Sequence, residues 1–164
     1  MRSGRVGLVI LAALGTLIVV LALLAVWLWW RLSDAQEAAD TRAGALRAAG
    51  LHAVNMLSVS HTSVDDDIKR ALGSSTGKAR EEFAQSSASL RKTTLDNKVR
   101  QDGVLRATGL VSSDGRTATV LVVADSLVSR EGSKAAPETR YFRWSVEVTK
   151  VGESWLVSDM VPVS

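Results

Sequence analysis

The chain has 164 residues, 46% of them hydrophobic and 23% charged, with no cysteine, two prolines and two histidines. That is the size of one folded domain plus a short extra element. The missing cysteine excludes disulfides, thiolate zinc sites, iron–sulfur clusters and cysteine nucleophiles. The formal charge of +3 comes from Arg2, Arg5 and Arg31. From residue 32 onward the chain is neutral and offers no overall attraction to a phosphate backbone, so nucleic acid is not an expected partner.

Val6 to Trp30 are 25 residues without a charge, and only Gly7, Gly15 and Thr16 interrupt a run of Ala, Val, Leu, Ile and Trp. A helix of that length reaches roughly 37 Å, enough to cross a hydrocarbon core of about 30 Å. A cleaved signal peptide would have an apolar core of about 7 to 15 residues closing in a small-x-small site. Here the run continues into Trp27-Leu28-Trp29-Trp30-Arg31, which suits an interfacial aromatic belt. The expectation is a single-pass anchor over residues 6–30, retained in the lipid bilayer. Residues 1–5 would form a short cytoplasmic tail, because two arginines and the α-amino group crowd it, and the rest of the chain would lie outside.

Ser33-Asp34-Ala35-Gln36 reads as a capping box and predicts the start of a new helix. Its small-residue face, Ala35, Ala39, Ala43, Leu46, Gly50, Ala53, Val54 and Leu57, can press closely on a sheet, and the helix should end near Ser60. Thr62 or Ser63 should cap a short second helix with Asp65-Asp66-Asp67 in its first turn and Gly73 at its end. A third helix should cover Lys78 to about Thr94, with Ala79, Phe83 and Leu90 inward.

After Asn97 the period becomes alternating. Residues 99–111 and 116–129 read as two strands around Ser112-Ser113-Asp114-Gly115, a tight-turn sequence that pins their register. In the second strand Val120, Val122, Ala124 and Val128 point one way and Leu121, Val123 and Leu127 the other. It therefore reads as covered on both faces and central in the sheet. A polar, mobile loop from Arg130 to about Glu138 leads to a strand with Phe142, Trp144, Val146 and Val148 inward and Arg143, Ser145, Glu147 and Thr149 outward. Val151-Gly152-Glu153-Ser154 then turns the chain into a last strand, Trp155 to Val161. Residues 31–98 form the helical part and 99–164 the antiparallel meander of one α+β domain, helices covering one face of a curved sheet.

Chemistry-bearing patterns are weak. Gly73-Ser74-Ser75-Thr76-Gly77-Lys78 resembles a phosphate loop, but three residues separate the glycines instead of four and Ala79 follows the lysine. It reads as a helix stop, a flexible joint and a helix start. The Asp65–Asp67 acids miss the EF-hand pattern, since Lys69 takes the next alternate position, and suit a helix N-terminus without metal. His52 and His61 lack the spacing that puts two ligands on one helix face. No nucleophile elbow surrounds any serine. Asp125 interrupts an apolar strand and reads as lying on the solvent face; in a cavity it would be a candidate general base. Tyr141, the only tyrosine, reads as an edge anchor, and Trp144 and Trp155 as core. No catalytic, cofactor-binding or metal residue is assigned, no cofactor is expected, and the chain is expected not to be an enzyme.

The order of these elements, together with particular stretches, resembles the Mce-associated membrane proteins of actinobacteria, whose genes accompany mammalian cell entry (Mce) transport systems. The resemblance is carried by Ala53-Val54-Asn55-Met56-Leu57, Thr76-Gly77 with Phe83, Val111-Ser112-Ser113-Asp114-Gly115-Arg116 with Ala118-Thr119-Val120-Leu121-Val122, Asp125, Pro137 with Arg140, and Gly152-Glu153-Ser154-Trp155-Leu156-Val157-Ser158-Asp159. It implies an NTF2-like, cystatin-like cone of three helices on a curved four-stranded sheet, related in shape to the bitopic assembly subunit of type IV secretion machines. It also implies an accessory or scaffold role beside Mce transport proteins that import lipid or sterol, with homo-oligomerisation open. Two other readings stand beside it: a small-molecule (lipid) binding or enzymatic cone, and a secretion-type assembly scaffold.

Overall fold

A computed structural model of the protein describes residues 3–163. The elements run α1 (Ser3–Leu57), β1 (Val59–Ser60), α2 (Val64–Gly73), α3 (Gly77–Asp96), β2 (Val99–Ser113), β3 (Thr117–Arg130), β4 (Glu138–Val151) and β5 (Ser154–Pro162). They fall into two compact units, Met1–Asp40 and Thr41–Ser164. Met1 and Arg2, part of the expected tail, lie outside the described residues.

In the first unit α1 is long and apolar enough to cross a membrane. Its leucine, valine, isoleucine and tryptophan side chains from Leu17 to Leu32 are exposed, as a lipid-facing helix requires. The Arg31 guanidinium lies over the Trp27 ring, 5.1 Å from its centroid, a pairing suited to the headgroup level. The expected new start at Ser33 does not form, because the backbone remains helical throughout Ser33–Gln36. No proline or glycine lies between Thr16 and Ala43, and Ala, Leu, Glu, Gln and Arg favour continuation. An unbroken helix already satisfies the N–H groups that a cap would serve.

In the second unit α1 presents Ala45, Ala49 and Ala53, each fully buried, to the sheet. Beneath them lie Val120 and Val122 of β3, Val146 and Val148 of β4 and Val157 of β5, each worth roughly 2 kcal/mol of burial. Ser63 stands at the N-cap of α2, and Asp65, Asp66 and Asp67 fill its first turn. Asp67 does more than face the helix dipole. It is buried, accepts hydrogen bonds from the Ser60 N–H at 2.8 Å and the Ser63 hydroxyl at 2.9 Å, and pairs with Arg70. Helix α3 buries Ala79, Phe83 and Thr94 and leaves Leu90 half-buried.

The sheet has five antiparallel strands in the order β1-β2-β3-β4-β5, where four were expected. The extra strand is β1, two residues paired as Val59↔Gln101 and Ser60↔Arg100. A strand so short leaves no periodicity in the sequence, since its pairing partner is some forty residues away. The β2–β3 hairpin forms as predicted, with Gly115 at φ +90°. The Asp114 carboxylate accepts the N–H groups of Arg116 and Thr117 at 2.9 and 2.6 Å, which hold its pKa down to about 2.

The joint between α2 and α3 is fixed by hydrogen bonds. Thr76 N–H donates to Val157 O at 2.7 Å, Val157 N–H donates to Ser74 O at 3.1 Å, and Ser75 bridges Val157 in parallel. The Gly-Ser-Ser-Thr-Gly-Lys stretch therefore lines the border of β5 rather than acting as a flexible joint.

Candidate functional site

The two faces of the sheet differ sharply. On the helix-covered face of β3, Val120, Val122 and Ala124 are buried. On the other face Leu121 and Val123 are 45% and 36% exposed and Leu127 is equally open, so the expectation that both faces of β3 are covered is not met. All three helices lie on one side, and an alternating apolar strand cannot by itself signal a missing second layer. The cross-strand register Val104↔Asp125↔Tyr141 and Leu121↔Ser145↔Val161 joins these residues into one open surface, on which the apolar side chains are interrupted by Arg143, opposite Val123, and Glu147, opposite Thr119. Val104, Tyr141 and Val161 are exposed on it, Tyr141 at 77%.

Asp125 lies on this helix-free face, as the sequence suggested, yet it is shielded there. Arg106, the extra residue at a bulge in β2, folds over it and donates from Nε at 2.6 Å. The paired carboxylate is a structural partner that braces the bulge. Tyr141 is its cross-strand neighbour, but at 77% exposure it leaves the pair on an open face and not in an enclosed pocket. Ser126, the next residue, points inward. Its hydroxyl is buried without a hydrogen-bond partner.

On the covered side, a cleft of about 210 Å³ opens between the second half of α1, α3 and strands β4 and β5, lined by His52, Met56, Ala79, Phe83, Trp144 and Met160, with Glu82 and Ser86 at its mouth. Trp144, read as core, is half-buried here and stacks on Phe142 with centroids 5.0 Å apart. His52 is 1% exposed, and its Nδ1 lies 2.8 Å from the Ser74 hydroxyl. Burial pushes its pKa down to about 4, so the ring is neutral at pH 7. His61 is elsewhere, its Nε2 2.7 Å from Glu131. Among the described residues no group of three or more His, Cys, Asp or Glu side chains could hold a metal ion. The sequence reading passed over the cleft: it placed Phe83 and Trp144 inward but assigned no face to Met56 or Met160.

The domain shares its fold with components of secretion machinery. The VirB8 protein of Agrobacterium tumefaciens superposes with a TM-score of 0.62 at 11% identity, over 76% of this chain and 92% of that one. An IcmL-like type IV secretion system protein of Legionella pneumophila gives 0.60 at 12%, over 75% and 94%, and the periplasmic domain of DotI gives 0.59 at 15%, over 72% and 93%. In sequence, the chain is 30% identical over 157 residues to the Mycobacterium tuberculosis (strain ATCC 25618 / H37Rv) protein described as "Uncharacterized protein Rv1363c", covering 96% of this chain and 60% of that protein. The chain thus spans about three fifths of its relative's length. A family model described as "Uncharacterized protein Rv1363c/MT1408-like" matches residues 6–162. An apolar helix followed by a domain with the fold of VirB8-type periplasmic domains fits a single-pass membrane protein, and the chain belongs to the Rv1363c/MT1408-like family.

Proposed function

We propose that this protein is a non-enzymatic assembly scaffold of the cell envelope, held in the membrane by residues 6–30 with its domain outside, and that it engages protein partners through the helix-free face of its sheet. The observation that carries this reading is the open apolar surface of Val104, Leu121, Val123, Leu127, Tyr141 and Val161. Exposed apolar side chains gathered on one face, with charged groups such as Arg143 among them, are characteristic of an interaction surface on a folded domain. Aromatic anchors such as Tyr141 are favoured in such interfaces. The names of the fold relatives, which include a type IV secretion system protein and a periplasmic domain, support the scaffold role and the outside placement. The sequence resemblance narrows the assembly to an Mce-type lipid or sterol importer.

The test uses the full chain extracted in mild detergent, beside a Leu121→Arg, Val123→Arg variant. Both side chains are exposed, so the variant is expected to fold. The wild type should elute with Mce transport proteins, or with other copies of itself, and the variant alone. Wild-type protein that elutes alone, or that turns over a compound unaided, overturns the reading. Because the chain has no cysteine, a single Ser133→Cys in the exposed β3–β4 loop reports orientation. A membrane-impermeant maleimide should label it in intact cells.

A further inference from the structure

The cleft beneath the helices combines features that the scaffold role does not use. Its walls are Phe83 and Trp144, two methionine thioethers from Met56 and Met160, and Ala79. Thioethers and aromatic faces together favour an aromatic guest. An apolar cavity of about 150 Å³ admits a benzene ring, so about 210 Å³ accommodates a ring with one or two substituents. The single deeply buried polar side chain in the lining is His52. Its Nδ1 is occupied by Ser74, and its Nε2 has no partner among the described residues. A guest hydroxyl can both donate and accept, so it suits Nε2 in either neutral tautomer. Glu82 at the mouth disfavours an anionic guest, and Lys78 bridges it at 4.0 Å to Asp159 at 3.1 Å.

We propose that this cleft binds a small uncharged aromatic alcohol of about phenol size, its ring held between Phe83, Trp144 and the two methionines and its hydroxyl hydrogen-bonded to His52 Nε2. The site is on the opposite side of the sheet from the proposed docking face and stands independently of it.

The chain has three methionines, two of which line the cleft while the third is Met1. Full-length protein in lipid nanodiscs, labelled with ¹³C at the methionine methyls, can be titrated with p-cresol and with toluene, each referred to its free aqueous concentration. The expected result is a saturable ring-current shift of the Met56 and Met160 signals with no matching shift of Met1, and p-cresol binding roughly five-fold tighter than toluene. In His52→Asn the amide nitrogen takes the place of Nδ1 against Ser74 while Nε2 is lost, and the preference for p-cresol should vanish. Ser86→Leu, at an exposed helix position at the mouth, should abolish saturation without disturbing the fold, and it decides the matter if His52→Asn does not fold. Shifts linear in probe, shifts that persist in Ser86→Leu, or equal binding of the two probes by the wild type overturn the proposal.

Discussion

His52 ties the stability of the domain to pH. Its folded-state pKa is about 4 against an ordinary value of 6.5 because burial penalises the imidazolium. Above pH 6.5 the ring is neutral in both folded and unfolded chains and contributes no pH dependence. Between 6.5 and 4 the unfolded chain takes up a proton that the folded chain refuses, so stability falls as pH falls. The two pKa values give a loss of about 1 kcal/mol by pH 5.5 and about 2 to 3 kcal/mol by pH 4.5, relative to pH 7.5. The carboxylates with depressed pKa values, Asp65, Asp114 and Glu138, contribute their own loss mainly below that range. Urea unfolding of the full chain in detergent, followed by the near-ultraviolet signal of Trp144 and Trp155, measures the slope. Subtraction of His52→Asn removes the shared carboxylate background. With only two histidines in the chain, the imidazole proton resonances report the same quantity directly. A His52 resonance that titrates near 6.5 in the folded protein, or equal slopes in wild type and His52→Asn, would refute the argument.

Two glycines on β2 should respond oppositely to alanine. A Cβ on Gly103 would stand 2.6 Å from Leu57 Cβ and 3.2 Å from its carbonyl carbon, whereas nothing lies within 4 Å at Gly109. Gly103→Ala should therefore cost about 2 to 3 kcal/mol by overpacking, and Gly109→Ala should be neutral or raise stability by about 0.5 kcal/mol, both read as shifts in urea midpoint. Asp67→Ala strips the buried acceptor from the Ser60 N–H and the Ser63 hydroxyl. It should cost about 2 to 3 kcal/mol and speed hydrogen exchange at the Ser60 amide. Ser126→Ala removes a buried hydroxyl that has no partner and should stabilise by about 1 kcal/mol; a loss of stability would show that a bound water satisfies it.

What could be read from the sequence was whatever is encoded locally. The Asp114-Gly115 turn, the alternation of Phe142 through Thr149 and the acidic first turn of α2 each act within a few residues, and the structure places them as expected. Apart from the start expected at Ser33, the misses concern partners distant in sequence. A potential cap at Ser33 matters only if a helix begins there, and nothing upstream ends one. β1 exists because Gln101 and Arg100 present free backbone groups to Val59 and Ser60. Leu121 and Val123 look like core residues, and only the placement of all three helices on the other side shows them open. Asp125 was correctly assigned a face, but its shielding depends on a bulge that brings Arg106 over it. His52 was weighed as a metal ligand or a base and not as part of a cleft, because one sequence does not reveal which helix stands off far enough to leave one.

The backbone hydrogen bonds that Val157 makes with Ser74 and Thr76 have a consequence for copies crowded on a surface. A sheet with bare outer strands invites end-to-end growth between neighbouring molecules, a hazard that a tether sharpens by confining every copy to two dimensions. Here β1 covers only Arg100 and Gln101 of β2 and leaves Asp102 to Ser113 at the margin, while the α2–α3 linker occupies β5 at Val157. Copies packed side by side meet a β2 margin whose ladder is broken by irregularities at Leu105–Ala107 and Leu110–Ser112, so a long regular zipper is disfavoured and recognition falls to side chains, whose contacts can be made and released.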